Sequence, residues 1–263
     1  MNMTSWFVAP IAVLTIGLGG CGGIDERESR YREVSLSDHE ATTRIRLIDE
    51  NYSPPRTQEK VAASLAVAFQ SISPKTREDV LWRGSRACVW LAEYLDTKNA
   101  RRQAAVEGAH FGREATAKNP QRVEPYFYYA LSLGMLSQID STSQHVDRMA
   151  ELCERAIEID ESFEHAGPHR FLGLLYYETE GYVTASIGSL DDALSHLKRA
   201  CEIAPNYPLN HLAYGQALME DDQERKARHH FQRVLELKPP AGSSDPYQQW
   251  QEDARKLLQE LGA

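Results

Sequence analysis

Histidines are the residues of this sequence whose spacing first suggests chemistry. His165 and His169 lie four residues apart, so on one helical face they could share a metal ion. Pro168 between them predicts a helix start, which places His165 ahead of the helix, and no third ligand follows at a suitable spacing. His229 and His230 are neighbours and point to different sides of a helix. The spacing therefore predicts no metal site, and we expect no cofactor.

The guanidinium of Arg170 is a second group with useful chemistry. Its planar fork can hold a carboxylate through two hydrogen bonds. The alternative is a structural arginine, paired with a nearby glutamate to fix helix packing. The sequence contains no GxSxG or HExxH motif, no phosphate loop and no glycine-rich nucleotide fingerprint. We therefore predict no catalytic residues and expect a protein that is not an enzyme.

A cysteine after an apolar leader is the third residue whose surroundings suggest chemistry, here a covalent modification. The uncharged run 7–18 has about 12 residues, whereas a membrane span needs roughly 20. Its length is typical of the apolar region of a secretory signal, and small residues follow it, as a cleavage site requires. The Leu-Gly-Gly-Cys string that ends at Cys21 resembles the lipobox of bacterial lipoproteins. The resemblance implies a signal peptide at 1–20, cleavage before Cys21, and acylation of its thiol and new amino group.

Acylation of Cys21 would decide where the protein resides. Several acyl chains anchor firmly, because each buried methylene contributes roughly 0.8 kcal/mol. The predicted location is the cell envelope, lipid-anchored and facing the periplasm. Gly22 rather than aspartate follows the cysteine, which favours the outer over the inner membrane under the enterobacterial sorting rule. The leader has no Lys or Arg before its apolar run, so the alternative is a disordered apolar tail with a chance cysteine.

The composition is ordinary for a soluble globular protein, with 42% apolar and 25% charged residues among 263. The formal net charge is −9, and no clustered basic run is available for phosphates, so we expect no nucleic acid partner. Cys88, Cys153 and Cys201 form no CxxC pair, and each lies in an apolar helical pattern. They are predicted as buried core residues, with one disulfide between two of them left open.

A 34-residue repeat organises the rest of the chain. Four positions recur at that interval, namely Ala193 with Ala227, Leu197 with Phe231, Ala200 with Val234, and Pro205 with Pro239. Thirty-four is the tetratricopeptide period, so the chain resembles proteins built from tetratricopeptide repeats. Because one helix hairpin cannot bury its apolar face alone, such units must stack.

The predicted fold class is all-α, with irregular tetratricopeptide-like helix hairpins and a C-terminal capping helix. The segment 21–56 is polar and is predicted as a flexible tether, with a short helix around 41–51. The repeat domain is predicted over 57–263 and begins with a helix at 57–72. Its helix pairs and cap are predicted at about 78–118, 123–160, 166–204, 208–238 and 245–261.

Repeat proteins of this kind bind through a concave surface lined by first helices. The usual groove positions of the repeat can be transferred to this chain as a candidate groove for a partner or ligand. They are Phe127, Leu131, Arg170, Leu174, Tyr177, Leu209, Leu212, Gln216 and Met219.

Two strings resemble one known family more specifically. A Gly-Pro-x-Arg-x-Leu-Gly-x-Leu-Tyr string at 167–176 and an Ala-Pro-Asn-Tyr-Pro-Leu-Asn-His string at 204–211 are similar to the TatT component of TRAP transporters, a family of periplasmic tetratricopeptide lipoproteins. The motif positions are Gly167, Pro168, Arg170, Leu172, Gly173, Tyr176, Pro205, Asn206, Asn210 and His211. The similarity covers most of 75–240, but the insertion around 178–188 lacks the prolines usual in the family.

The resemblance implies a right-handed superhelix, a homotrimer, and docking of a periplasmic solute-binding protein. That partner would carry organic acids or apolar ligands to a transporter. We therefore predict a lipid-anchored adaptor of the TatT type. The alternative is a scaffold lipoprotein for envelope assembly or secretion, with no transport role.

Overall fold

The computed structural model describes residues 33–179, 188–239 and 244–262. Within these ranges the chain forms eleven α-helices and no strand, so the predicted all-α fold class is confirmed. The helices are α1 (Asp38–Tyr52), α2 (Gln58–Phe69), α3 (Arg77–Tyr94), α4 (Lys98–Lys118), α5 (Val123–Asp140), α6 (Val146–Asp160), α7 (Phe163–Thr179), α8 (Leu190–Ile203), α9 (Pro208–Glu220), α10 (Glu224–Glu236) and α11 (Ser244–Glu260).

The helices belong to two compact units. The first unit ends at His145 and contains α1 to α5. The second begins at Val146 and contains α6 to α11. All ten motif positions and seven of the nine predicted groove positions lie in the second unit.

Helix α1 corresponds to the short helix predicted around 41–51, within the segment otherwise predicted as a tether. Ser37 and Glu40 form a capping box at its start, in which the Glu40 carboxylate accepts a hydrogen bond of 2.8 Å from the Ser37 amide. Ile48 on α1 is fully buried, and its carbonyl accepts a hydrogen bond of 2.8 Å from Ser64 Oγ on α2. The folded part of the chain therefore starts upstream of the predicted helix at 57–72.

A glycine in the first helix of a pair meets a large side chain of the second helix. A Cβ atom at Gly173 on α7 would lie 2.7 Å from Leu197 Cγ on α8. A Cβ atom at Gly215 on α9 would lie 2.5 Å from Phe231 Cε1 on α10. Both distances are too short for any side chain, so the two helix pairs repeat one close contact that requires glycine.

Helix α11 covers the last helix pair. Its Tyr247, Trp250 and Ala254 are buried in one cluster with Phe231 and Val234 of α10. The Tyr247 hydroxyl also donates a hydrogen bond of 3.3 Å to the Val234 carbonyl. Helix α11 thus buries the apolar outer face of the α9–α10 pair.

Three predicted features lie outside the described residues, namely the leader 1–20, the lipidated Cys21, and 180–187 of the insertion. After the insertion, the Ser189 hydroxyl accepts a hydrogen bond of 3.2 Å from the Asp192 amide and caps α8. Among 33–179, 188–239 and 244–262, no helix combines the length and apolar character needed to cross a membrane.

Candidate functional site

The entry to helix α7 has an unusual backbone. Glu164, His165 and Ala166 have φ angles of 49°, 58° and 60°, in the left-handed region. Each non-glycine residue in that region costs roughly 1–2 kcal/mol, so surrounding contacts must stabilise the segment. Pro168 follows two residues later, where its fixed φ suits the start of the right-handed helix.

Arg170 and Asn210 hold this left-handed turn from two helices. Arg170 Nη1 donates hydrogen bonds to Asn210 Oδ1 at 2.7 Å and to the His165 carbonyl at 3.3 Å. Asn210 is fully buried, and its Nδ2 donates to the carbonyls of His165 at 3.1 Å and Ala200 at 2.9 Å. These bonds join α7, α8 and α9 at one point.

The ring of Tyr207 completes the same contact. The His165 imidazole stacks on it at a centroid distance of 4.4 Å, and Arg170 Cζ lies 5.0 Å from its centroid. The Trp250 ring of α11 approaches it edge-on at 5.8 Å. Arg170 is thus paired with an amide, a carbonyl and an aromatic face. This is a structural arrangement, in which an amide takes the place of the glutamate that the sequence suggested.

The other residues of the 167–176 and 204–211 motifs also form contacts at helix starts and between helices. The Pro205 carbonyl accepts a hydrogen bond of 2.9 Å from His211 Nε2, and Asn206 Oδ1 accepts one of 3.3 Å from Arg233. The buried motif members are Gly167, Pro168, Leu172, Gly173, Asn210 and His211, the half-buried ones are Arg170 and Tyr176, and the exposed ones are Pro205 and Asn206. The motif therefore describes how α7, α8 and α9 are joined.

The predicted groove residues divide into buried and half-buried positions. Phe127, Leu174 and Leu212 are at most 6% exposed, so they contribute packing and little surface for a partner. The half-buried members are Leu131, Arg170, Tyr177, Leu209, Gln216 and Met219. Phe127 and Leu131 lie on α5 of the first unit, and the other seven lie on α7 and α9 of the second.

Two histidine pairs occupy equivalent places in successive repeats. His169 Nδ1 lies 2.9 Å from His196 Nδ1, and His211 Nδ1 lies 2.9 Å from His230 Nδ1. The ring centroids are 5.1 Å apart in both pairs. His196 and His230 are separated by the 34-residue repeat, and His169 and His211 by that repeat plus the insertion of eight. In each pair one ring donates and the other accepts.

Burial keeps these imidazoles neutral by lowering their pKa values. Burial, together with neighbouring His211 and His229, lowers the pKa of His230 to about 4. Glu161 Oε2 lies 3.3 Å from His169 Nε2 and partly opposes the lowering of the pKa of that ring. A surface cavity of about 390 Å³ lies beside the first pair and is lined by His169, Ser195, His196, Lys198, Arg199 and Glu202.

Cys201 adds a thiol to the second pair. Its Sγ lies 3.9 Å from His211 Nδ1, and the ligand atoms of Cys201, His211 and His230 all lie within 4.8 Å of one another. Sequence reasoning missed this cluster, because its members come from α8, α9 and α10. The repeat signals only one part of it, since the 34-residue period aligns His196 with His230 as a recurring histidine.

Repeated helix pairs with glycine contacts and a closing helix define a tetratricopeptide-like helical repeat protein. The chain belongs to the family described as regulator of microtubule dynamics protein 1-3, whose model matches residues 45–262. The match thus begins within α1 and includes every later helix. No curated protein matches the chain significantly.

Two solved structures are similar to the chain at low sequence identity. TTC0263, a thermophilic TPR protein of Thermus thermophilus, is similar with a TM-score of 0.61 and 14% identity, covering 83% of this chain and 99% of that one. A mutant of MamA has a TM-score of 0.49 and 16% identity, covering 76% of this chain and 99% of that one. The similarity to TTC0263 confirms the predicted tetratricopeptide-like fold class, and at this identity it concerns the fold alone.

Proposed function

We propose that this protein is a lipid-anchored periplasmic adaptor of the TatT type, which assists TRAP-type solute uptake by docking a solute-binding protein. The helical repeat fold supports a general role in binding other proteins. The observation that carries the finer proposal is the lipobox-like string ending at Cys21, combined with the motif at 167–176. The Arg170 guanidinium already donates hydrogen bonds to Asn210 and to the His165 carbonyl. This favours docking of a protein over direct binding of a carboxylate solute by Arg170.

The anchor can be tested separately from the repeat domain, because the family match begins at residue 45. Cys21→Ala removes the thiol that would be acylated, and we expect the protein to move from the membrane to the soluble fraction of the envelope. Cys153→Ala is the matched control, because Cys153 is a buried free cysteine. That control should stay with the membrane. Membrane retention of Cys21→Ala would contradict the lipid anchor.

The docking surface can be tested with a pair of matched charge substitutions. Gln216 is a half-buried groove position on α9, whereas Gln232 is exposed on α10. Gln216→Arg places a charged, longer side chain in the groove and should weaken crosslinking to the solute-binding protein of the same organism at least tenfold. Gln232→Arg should leave that crosslinking unchanged.

The outcome of this crosslinking also decides between adaptor and scaffold. Capture of a solute-binding protein by the wild-type chain, lost in Gln216→Arg, supports the transport role. Capture of proteins of envelope assembly or secretion, with no solute-binding protein, would contradict it and support the scaffold alternative. Light scattering of the purified chain tests the homotrimer that the resemblance implies.

A further inference from the structure

The three side chains Cys201, His211 and His230 combine donor atoms that transition metals prefer. Thiolate and imidazole are the usual ligands of zinc, and three protein ligands with one open position are typical of an accessible zinc site. The three come from successive helices α8, α9 and α10, so the packing of the last two repeats fixes their relative positions.

The distances within the cluster fit one ion. In tetrahedral zinc sites with bonds of about 2.0–2.3 Å, two nitrogens lie roughly 3.3 Å apart, and a sulfur and a nitrogen roughly 3.6 Å apart. Here the His211 and His230 Nδ1 atoms are 2.9 Å apart, and Cys201 Sγ is 3.9 Å from His211 Nδ1. All three donor atoms lie within 4.8 Å of one another, so side-chain adjustments of up to about 1 Å would place them around one ion.

A hydrogen bond to the backbone already orients the His211 ring. Its Nε2 donates to the Pro205 carbonyl at 2.9 Å, which fixes the proton on Nε2 and leaves the Nδ1 lone pair facing Cys201 and His230. Metal-bound histidines characteristically make this backbone contact through their other nitrogen. His230 is half-buried, so its side of the cluster gives an ion access from solvent.

We propose that Cys201, His211 and His230 form a binding site for a divalent transition metal ion, best matched to zinc, with the fourth position open to water. Binding forms one metal–sulfur and two metal–nitrogen bonds. The S–H bond of Cys201 breaks and its proton passes to solvent, while the Nδ1 proton of His230 moves to Nε2 by exchange with water. His230 exchanges the hydrogen bond that it makes with His211 for the metal bond.

The protonation states of the three ligands in the metal-free protein determine how many protons are released when one ion binds. Burial raises the pKa of the Cys201 thiol to about 12, so this group carries its proton at pH 7. The two imidazoles are neutral there, because burial lowers their pKa values. Each bound ion should therefore release about one proton, from the thiol.

The preceding repeat supplies an internal control. His169 and His196 form an equivalent pair with the same Nδ1 to Nδ1 distance of 2.9 Å. The sequence around Arg155 aligns with that around Arg199, which puts Ile157 at the position of Cys201. The first pair thus lacks the thiol, and only the second should bind the ion through sulfur.

The test uses the full chain in mild detergent, freed of metal by a chelator and titrated with Co²⁺ as a spectroscopic probe. We expect one Co²⁺ per chain, with a thiolate-to-cobalt charge-transfer band that Zn²⁺ abolishes by displacement. Cys201→Ala should lose the band and weaken Co²⁺ binding at least tenfold, and His230→Gln should weaken it similarly. His196→Gln should retain both the band and the affinity.

Three results would overturn the proposal. They are a wild-type chain without a thiolate band, a band that persists in Cys201→Ala, and an equal loss in His196→Gln. The wild-type spectrum and the His230→Gln variant keep the test decisive if Cys201→Ala does not fold, as circular dichroism of the metal-free variants will reveal.

Discussion

Asn210 connects three helices through one buried amide. Its Nδ2 donates to the Ala200 carbonyl of α8 and to the His165 carbonyl at the start of α7, and its Oδ1 accepts from Arg170. Buried polar groups that lose their partner keep their desolvation cost, which makes such an amide hard to replace. We therefore regard Asn210 and Arg170 as positioning residues of the repeat.

Asn210→Ala should lower the free energy of unfolding by about 1–3 kcal/mol, because buried carbonyls lose their donor. Asn206→Ala is the matched control, since Asn206 is exposed and makes one hydrogen bond of 3.3 Å with Arg233. Urea unfolding followed by circular dichroism measures both. An Asn210→Ala variant as stable as Asn206→Ala would show that the amide does not stabilise the turn.

The first histidine pair should make stability depend on pH. Burial lowers the pKa of His169 and His196 from the ordinary value of 6.5. The charged or titratable groups around them are Glu161, Tyr176, Asp192, Lys198, Arg199 and Glu202. The folded state binds fewer protons than the unfolded state, so stability is present above about pH 6.5 and is lost as the pH falls below it.

Melting temperatures between about pH 5 and 8 check this prediction. The wild-type value should fall towards pH 5, and His196→Gln should reduce the fall by removing one titrating ring. A fall of equal size in His196→Gln would assign the pH dependence to other groups.

At the scale of helices, small residues decide how closely the two helices of one repeat approach each other. Gly173 and Gly215 take the positions where a Cβ atom would overlap Leu197 and Phe231. Ala227 on α10 is likewise fully buried, in one cluster with Phe231 and Val234. The spacing of small residues in the sequence thus corresponds to real helix contacts.

Ala227→Leu should destabilise the protein by roughly 1–3 kcal/mol, because the larger side chain overpacks this cluster. Ala66→Leu is the matched control, since Ala66 is exposed in the middle of α2. Thermal unfolding of both variants measures the difference. An unchanged melting temperature for Ala227→Leu would contradict the close packing around α10.

At the scale of the whole molecule, the second unit has buried clusters of its own. One contains Leu212, Phe231 and Trp250, and another contains Leu174 and Leu197. Fragment 146–263 should therefore be helical and unfold cooperatively. Fragment 146–239 lacks α11 and exposes the first cluster, so it should melt at a lower temperature.

Circular dichroism of the two fragments measures both expectations. An unfolded 146–263 fragment would show that its clusters are insufficient for folding. Equal melting temperatures would show that α11 does not act as a cap.

The sequence by itself determined the helical fold class, the 34-residue period and the small residues at helix contacts. Periodicity and helix signals are local, so they can be read along the chain. Tertiary structure decided the partners of Arg170 and the assembly of Cys201, His211 and His230. These groups come from different helices, and their contacts depend on the left-handed turn at the start of α7 and on helix register. Local patterns do not specify either of these, because both are set by how one repeat packs on the next.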